Sequence, residues 1–203
     1  MIRDTVIVDL DGTLANIMHR IHFIEGKKRD NEGFYGSVAQ DGVNRWCLDL
    51  IQNHLRSGLP VVIVSARAKE CEYDTIAWLR RAGLDPLLSP SLSVQILRPN
   101  IKDNTPDVDL KREWLRSYGK ERILFAVDDR ARVVKLWRAE GITCLQCSDW
   151  EERQKEQLLH DAMNVLGAPV MDYAHDHGVR EHEAHGKKAV ELIMRYLGIK
   201  EVK

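Results

Sequence analysis

The sequence of 203 residues predicts an α/β fold, in which a central parallel sheet lies between layers of helices. Short apolar runs alternate along the chain with stretches of helical length, and glycines or prolines separate them. Val6–Val8 and Val61–Val64 are continuously apolar, which is typical of strands that are buried on both faces of a parallel sheet. We therefore expect a three-layer fold with a small flap or loop insertion after the first strand and a helical C-terminal tail.

Five short apolar runs are predicted to be strands: Val6–Val8, Val61–Val64, Val94–Leu97, Ile123–Val127 and Ile142–Cys147. Four stretches between them are predicted to be helices: Arg45–Leu55, Glu70–Arg81, Lys111–Ser117 and residues 131–140. Asn44 is a candidate N-cap of the first helix, and Gly83 is a candidate C-terminal cap of the second. Ala15–Ile24 is expected to form a short helix or a folded flap. Residues 25–42 are predicted to be a loop, because glycines and charged residues dominate them.

Two units are expected along the chain. Residues 1–150 would form the main α/β domain, with the insertion at about 21–42, and residues 151–203 a helical extension. Helices at about 151–166 and 180–197 are predicted for this extension, separated by Gly167–Pro169. An apolar stripe on the second helix favours packing on the main domain or on another subunit, and the second alternative would give a homo-oligomer.

Composition excludes several classes of protein. The net charge of −1 provides no overall basic field for tracking along nucleic acid, although a small basic pocket is compatible with it. No apolar run approaches the length that spans a membrane, and the N-terminus does not resemble a signal peptide. The four cysteines show no pattern of a disulfide scaffold, so we expect reduced thiols and a cytoplasmic location.

Polar residues of complementary types follow the predicted strands or begin a helix: Asp9, Asp11, Ser65, Arg67, Lys111, Asp128 and Asp129. The carboxyl ends of parallel strands meet at one edge of a sheet, where α/β proteins bind their ligands. Taken alone, Asp9 could be a helix cap and Asp11-Gly12 a turn. The other strand ends favour a functional site, because burial of unpaired charge is otherwise costly.

Together these residues supply the parts that phosphoryl transfer requires. Asp9 is the candidate nucleophile, and Asp11 is the candidate general acid and base. Asp9, the backbone carbonyl of Asp11, Asp128 and Asp129 form an all-oxygen set that suits Mg²⁺. Lys111, Ser65 and Arg67 are candidate donors to the phosphate oxygens, and Gly12 would let backbone amides approach the phosphate.

These motifs and their order resemble the haloacid dehalogenase (HAD) superfamily of phosphatases over about residues 5–148. Asp11 favours phosphoryl transfer, because the true dehalogenases of that superfamily lack this acid. The resemblance implies a HAD-like Rossmannoid fold and an aspartyl-phosphate intermediate on Asp9.

The chain is also similar to the 3′-phosphatase domain of bacteriophage polynucleotide kinase-phosphatases. The similarity rests on Arg20, Ser65-Ala66-Arg67, the spacing of Asp107 and Lys111, and the stretch from Asp128 to Arg138. It implies that Arg20, Ser65 and Arg67 bind substrate. Thr13 and Arg130 are further candidates, with a supporting role for Thr13 and a solvated helix position for Arg130 as the alternatives.

The chain departs from this pattern in three ways. First, no Gly-x-x-x-x-Gly-Lys-Ser/Thr motif is present, so no kinase half is expected. Second, the insertion at 21–42 is longer than in that domain, and third, the tail has no counterpart there. We therefore expect a Mg²⁺-dependent phosphomonoesterase for nucleic-acid 3′ ends or nucleotides, located in the host cytoplasm if a phage encodes it. The alternatives are a phosphatase of free nucleoside monophosphates and, more remotely, a non-catalytic module that binds phosphorylated ends.

Other features have simpler interpretations. Asp107 is expected to orient Lys111 or to cap its helix, and Arg132 to be a solvated helix charge. Cys144 and Cys147 have CxxC spacing, but no second pair completes a zinc site, so buried thiols are expected. Four histidines of the tail favour loop polarity or a substrate or subunit contact over a metal site: His175, His177, His182 and His185.

Overall fold

A parallel five-stranded sheet forms the centre of the structure, a computed structural model that describes residues 2–25 and 28–148. The strands of these residues are β1 (Thr5–Asp9), β2 (Ala15–Asn16), β3 (Gly42–Val43), β4 (Val61–Ala68), β5 (Leu92–Arg98), β6 (Ile123–Asp128) and β7 (Cys144–Gln146). The helices are α1 (Asn31–Gly36), α2 (Arg45–Arg56), α3 (Glu72–Arg81), α4 (Asp107–Tyr118) and α5 (Ala131–Ala139). Short 3₁₀ helices lie at Met18–Phe23, Val38–Gln40 and Lys69–Cys71. The predicted tail helices and the tail histidines lie outside the described residues.

Strand β1 lies in the middle of the sheet, whose order is β5-β4-β1-β6-β7. It pairs in parallel with β4 on one side, where Val8 is opposite Ile63, and with β6 on the other, where Val8 is opposite Val127. Its apolar residues are fully buried, which explains the continuous apolar run of the sequence. The α/β fold with a central parallel sheet is confirmed, and the carboxyl ends of β1, β4 and β6 lie side by side.

Helices α4 and α5 pack against one face of the sheet and build a core around two tryptophans. The rings of Trp114 and Trp137 meet edge to face, with their centroids 6.4 Å apart, and both are buried with Ile7 of β1 and Val64 of β4. Aromatic pairs of this geometry stabilise a core by about 0.5–1.5 kcal/mol beyond their burial. This packing fixes α4, which carries Lys111, relative to the strand ends.

Several predicted boundaries shift in the structure. Strand β4 continues to Ala68, and α4 begins at Asp107, before the predicted helix start at Lys111. Helix α3 follows a 3₁₀ turn, and Gly83, with φ of +83°, lies just beyond its end, as the sequence predicts. Asn44 is the N-cap residue of α2, but its side chain makes no capping hydrogen bond. Its Nδ2 donates to the carbonyl of Thr13 at 2.7 Å.

The prediction that residues 25–42 form only a loop is wrong for most of the described part of this stretch. Asp30 caps α1 by accepting a hydrogen bond from the amide of Gly33 at 2.8 Å, and Phe34 of this helix is buried. Strand β3 pairs antiparallel with β2, which joins both ends of the insertion. The glycines of this stretch predict a loop, but a short helix forms there. Its stability comes from tertiary packing, because six residues form no stable helix alone.

The described residues fall within one compact unit, Met1–Ser148. The expected division into a main domain and an extension near residue 150 stays a prediction. Within the described ranges, we find no helix with the length and apolar character needed to cross a membrane.

Candidate active site

The carboxyl ends of β1 and β6 bring two carboxylates to one buried ammonium group. Lys111 Nζ of α4 lies 2.5 Å from Asp9 Oδ1 and 2.8 Å from Asp128 Oδ2. The indole of Trp137 also donates to Asp128, at 3.2 Å. Burial by itself lowers the pKa of the Lys111 ammonium, but Asp128 and Asp9 outweigh it and raise that pKa above its ordinary value. Lys111 therefore stays charged between the two acids.

Asp129 completes an acidic cluster with Asp9 and Asp128, in which one carboxylate oxygen of each residue lies within 4.8 Å of the others. Asp129 is fully buried, and neither of its side-chain oxygens has a hydrogen-bond partner among the described residues. Burial, together with the charges of Asp9 and Asp128, raises the pKa of Asp129 to about 8. Burial, opposed by Lys111, raises the pKa of Asp9 to about 7.

These residues fit a hard divalent cation. A buried carboxylate without a partner is unfavourable unless a positive charge satisfies it, and this cluster offers only oxygen ligands. The predicted contribution of the Asp11 carbonyl to such a site stays a prediction, and the Asp11 side chain is not a member of the cluster.

The carboxylate of Asp11 faces two buried arginines rather than the acidic cluster. Its Oδ1 accepts hydrogen bonds from Arg20 Nη2 at 2.7 Å and from Arg67 Nε and Nη2 at 3.0 and 2.6 Å. Burial raises the pKa of Asp11, but the charges of Arg67 and Arg20 outweigh this effect and hold the pKa well below its ordinary value. Asp11 is therefore a carboxylate in this state.

Asp41 is a second buried acid that binds the same two arginines, and the sequence prediction missed it. It accepts hydrogen bonds from Arg20 Nε and Nη2 at 2.6 and 2.8 Å and also from Arg67 Nη2. The backbone carbonyl of Asp41 accepts a hydrogen bond from the indole N–H of Trp78 at 2.6 Å. The third guanidinium nitrogen of Arg67, Nη1, donates a hydrogen bond to Thr75 Oγ1 at 3.0 Å. Only the folding of the insertion brings Asp41 here, so no local sequence signal could have found it.

A cavity of about 300 Å³ lies beside Asp9. Three residues that were expected to bind substrate are fully buried and do not line this cavity: Thr13, Arg20 and Arg67. Thr13 Oγ1 instead receives a weak hydrogen bond from Cys147 Sγ at 3.6 Å. Gly12, with φ of +88°, donates its amide to the carbonyl of Ala15, so its conformation serves the turn. As placed here, Arg20 and Arg67 contact Asp11, and their expected role in binding the substrate stays a prediction.

The remaining predicted residues meet at this cavity of about 300 Å³, which lies within the size range of small-molecule sites. Its lining includes Asp9, Asp11, Ser65, Lys111, Arg130 and Arg132. Residues from α1 and from the loop between β5 and α4 form other parts of the wall. The structure therefore brings Ser65 and Arg130 next to the two acids of β1, as the sequence predicts.

Asp107 accepts hydrogen bonds from two arginines at the start of α5, namely its N-cap residue Arg130 and Arg132. It accepts hydrogen bonds from Arg130 Nη1 at 2.8 Å and from Arg132 Nη2 at 2.9 Å. Pro106 is the N-cap residue of α4, and Asp107 Oδ1 accepts a hydrogen bond from the amide of Val108 in the first turn at 2.8 Å, so Asp107 supports the start of this helix. The bonds of Lys111 go to Asp9 and Asp128, and the expectation that Asp107 orients Lys111 stays a prediction. Asp107 positions two cations at the edge of the cavity.

The two cysteines with CxxC spacing are Cys144, in β7, and Cys147, which follows that strand, and both are free thiols. Burial raises the pKa of Cys144 to about 12 and of Cys147 to about 11, so both thiols are protonated at neutral pH. Within the described residues, the acidic cluster of Asp9 is the one group suited to a metal ion.

Comparison with known proteins agrees with this geometry. Residues 3–151 match the family model of the polynucleotide kinase PNKP phosphatase domain. A chain of the Pnkp1/Rnl/Hen1 complex is 25% identical, with a TM-score of 0.57 over 73% of this chain and 47% of that chain. A chain of the Pnkp1/Rnl/Hen1 RNA repair complex is 23% identical, with a TM-score of 0.55 over 72% of this chain and 43% of that one. The chain thus spans less than half the length of either.

The parallel sheet and the acids at its strand ends define a phosphatase of the HAD type. Within that class, the chain belongs to the family of PNKP phosphatase domains.

Proposed function

We propose that this protein is a Mg²⁺-dependent phosphomonoesterase that works through a phosphorylated Asp9. The observation that carries the proposal is the buried cluster of Asp9, Lys111, Asp128 and Asp129 at the cavity. Residues 1–150 would be the catalytic domain. A cytoplasmic location fits the four free cysteines of the described residues.

Asp9 is suited to be the nucleophile because Lys111 fixes one of its oxygens. Lys111 binds Asp9 Oδ1, and no hydrogen bond from the described residues occupies Oδ2. Attack by Oδ2 forms a bond from oxygen to phosphorus, and the ester bond from phosphorus to the leaving oxygen breaks. Lys111 keeps its charge during the attack and stabilises the negative charge on the transferred phosphoryl group.

Asp11 is suited to move the protons of both half-reactions. Its Oδ1 is held by Arg20 and Arg67, while Oδ2 has no such bond among the described residues. A dianionic phosphate beside Asp11 raises the pKa of this carboxyl by charge repulsion, which lets Oδ2 carry a proton to the leaving alkoxide. Asp11 then takes a proton from the water that attacks phosphorus and frees Asp9.

Asp9, Asp128 and Asp129 are the side chains that would hold Mg²⁺, with the Asp11 carbonyl as a further ligand. The bound ion would supply positive charge that offsets the repulsion between the Asp9 carboxylate and the phosphate. Ser65, Arg130 and Arg132 line the cavity and would donate hydrogen bonds to the substrate.

The proposed substrate is the 3′-phosphate of a nucleic-acid end. This choice is supported by membership in a family named for polynucleotide kinase and by likeness to a chain of an RNA repair complex. The test is release of phosphate from 3′-phosphorylated and 5′-phosphorylated oligonucleotides in the presence of Mg²⁺. Release from the 3′-phosphorylated oligonucleotide alone is expected, and an equal rate for both would reject the selectivity.

A phosphatase of free nucleoside monophosphates is the second candidate. The cavity of about 300 Å³ could hold one nucleotide, and the net charge of −1 supplies no broad basic surface for a long strand. Comparing kcat/KM for a nucleoside 3′-monophosphate and for the matching oligonucleotide separates the two. A strong preference for the mononucleotide would establish this second function. A lack of any turnover would leave the non-catalytic binding module.

A further inference from the structure

The insertion after β2 forms part of the cavity wall through α1, which is firmly held. Asp30 caps this helix, and Ser37 Oγ donates to the carbonyl of Gly33 at 2.9 Å. A Cβ atom on Gly33 would lie 2.6 Å from the ring of Phe23, so only glycine allows this close approach to the 3₁₀ helix. The helix therefore has a fixed position in spite of its short length.

Two adjacent aromatic residues of α1 have different environments. Phe34 is buried, and the guanidinium of Arg20 lies over its ring at 4.2 Å from the centroid. Tyr35 is half-buried, lines the cavity and meets the Phe34 ring edge to face at 5.3 Å. Because Arg20 also binds Asp11, the contact with Phe34 ties the position of Tyr35 to the active site.

The loop between β5 and α4 closes the cavity beside α1. Asn31 Nδ2 of α1 donates to the carbonyl of Ile101 in this loop at 3.1 Å. Arg98 holds the loop from within by donating to the carbonyls of Asp103 and Thr105 at 2.7 and 3.0 Å. The wall that contains Tyr35 is therefore joined to the loop by hydrogen bonds, as a preformed binding site requires.

We propose that Tyr35 is the platform on which the base of the terminal nucleotide stacks while its phosphate lies at Asp9. This inference rests on the proposed function, which places a nucleoside next to the reacting phosphate. Phe34 and Tyr35 are the aromatic residues of the lining, and Arg20 already covers the Phe34 ring. Stacking on an aromatic face suits all four bases, so Tyr35 contributes affinity without selecting a sequence.

The chemistry of Tyr35 is compatible with this role. Burial raises the pKa of the Tyr35 phenol above its ordinary value, so the side chain is neutral at neutral pH and does not repel a phosphate. The exposed Arg29 lies on the same wall and forms no ion pair among the described residues. It adds positive charge where the substrate enters.

The test compares two 3′-phosphorylated tetranucleotides, one with a normal terminal nucleotide and one whose terminal nucleotide lacks its base. For Tyr35→Ala, we expect KM for the normal substrate to rise about tenfold, and kcat/KM for the abasic substrate to change by less than about twofold. Tyr35→Phe keeps the aromatic face and should retain the parental KM. Tyr73→Ala removes a tyrosine of α3 that is 83% exposed and outside the cavity lining, and serves as the control.

Equal losses on the two substrates would overturn the proposal, because they would show that Tyr35 only supports the structure. Unchanged KM for the normal substrate in Tyr35→Ala would overturn it as well. Failure of the proposed function looks different. In that case the parent protein hydrolyses a generic aryl phosphate but neither tetranucleotide nor a nucleoside 3′-monophosphate, so the proposed substrate class and the role of Tyr35 fall together while the phosphatase reaction stands.

Discussion

Arg67 donates two hydrogen bonds to a single oxygen of Asp11, from Nε at 3.0 Å and from Nη2 at 2.6 Å. This geometry orients the Asp11 carboxylate and leaves its other oxygen, Oδ2, available to other partners. The same guanidinium also binds Asp41 and Thr75, so its own position is determined on several sides. The proton carrier of the proposed reaction is therefore held by a buried network that extends into the insertion.

Asp41 is expected to be essential for the shape of this network. In Asp41→Asn, two buried guanidinium groups lose a shared negative charge, and breaking a buried ion pair costs about 3–5 kcal/mol. We expect the free energy of unfolding, measured by urea denaturation, to fall by about 3–5 kcal/mol. We also expect kcat to fall at least about tenfold, because Asp11 is no longer oriented.

A matched control for Asp41 is Asp85→Asn. Asp85 forms a more exposed ion pair with Arg80 at 3.3 Å, and loss of such a pair changes stability by less than about 1 kcal/mol. If Asp41→Asn were as stable and as active as Asp85→Asn, the buried network would have no role.

Asp9→Asn should remove turnover and leave the fold intact. An amide oxygen is a poor nucleophile, so we expect kcat for a generic aryl phosphate to fall by at least about 10³-fold. Circular dichroism should show unchanged secondary structure. Asp109→Asn, which alters an acid of α4 that pairs with Arg112 near the surface, should keep parental activity. Turnover by Asp9→Asn at the parental rate would reject the aspartyl-phosphate mechanism.

The stability of the metal-free protein should depend on pH through Asp9 and Asp129. Their folded pKa values of about 7 and about 8 lie above the ordinary value of 3.8, so the folded chain binds these protons more tightly. The stabilisation that comes from these raised pKa values is fully present below pH 3.8 and is lost as the pH rises through 7 and 8. We expect the melting temperature to fall from about pH 5.5 to about pH 8.5, and Mg²⁺ to raise it more at the higher pH. The same increase at both pH values would contradict this account.

Asp129→Asn should separate stability from metal binding. It removes a buried charge that has no hydrogen-bond partner among the described residues. We therefore expect the metal-free variant to melt at or above the parental temperature near pH 8, whereas Mg²⁺ no longer raises that temperature. Phosphatase activity should fall about 100-fold or more, because the proposed metal site loses a charged ligand.

The control for this variant is Asp49→Asn, which changes an exposed acid of α2 and should alter neither property. An Asp129→Asn protein that is still stabilised by Mg²⁺ and fully active would place the metal elsewhere.

The sheet could be predicted because its signal is local and strong. Each buried strand is a short apolar run bounded by turn residues, and the predicted runs contain or overlap the observed strands β1, β4, β5, β6 and β7. The insertion could not be predicted in the same way. Its helix α1 has six residues, two of which are glycines, and its stability depends on Phe34 packing beneath Arg20.

The meeting of the strand-end acids with Lys111 was predictable for a related reason. Polar residues at the ends of apolar strands have no packing explanation, and parallel strands bring their carboxyl ends to one edge. Asp9, Lys111 and Asp128 indeed meet there. Asp41 gave no comparable signal, because it follows no long strand and lies among glycines and polar residues.

Read alone, the chain indicates the class of fold and the class of chemistry, since both depend on periodicity and on residue types at strand ends. Tertiary structure decides how those residues are used. It places Arg20 and Arg67 behind Asp11 instead of at the cavity, assigns Asp107 to Arg130 and Arg132, and sets Tyr35 on the cavity wall. These outcomes depend on contacts between segments far apart in sequence, whose packing and burial no local pattern encodes.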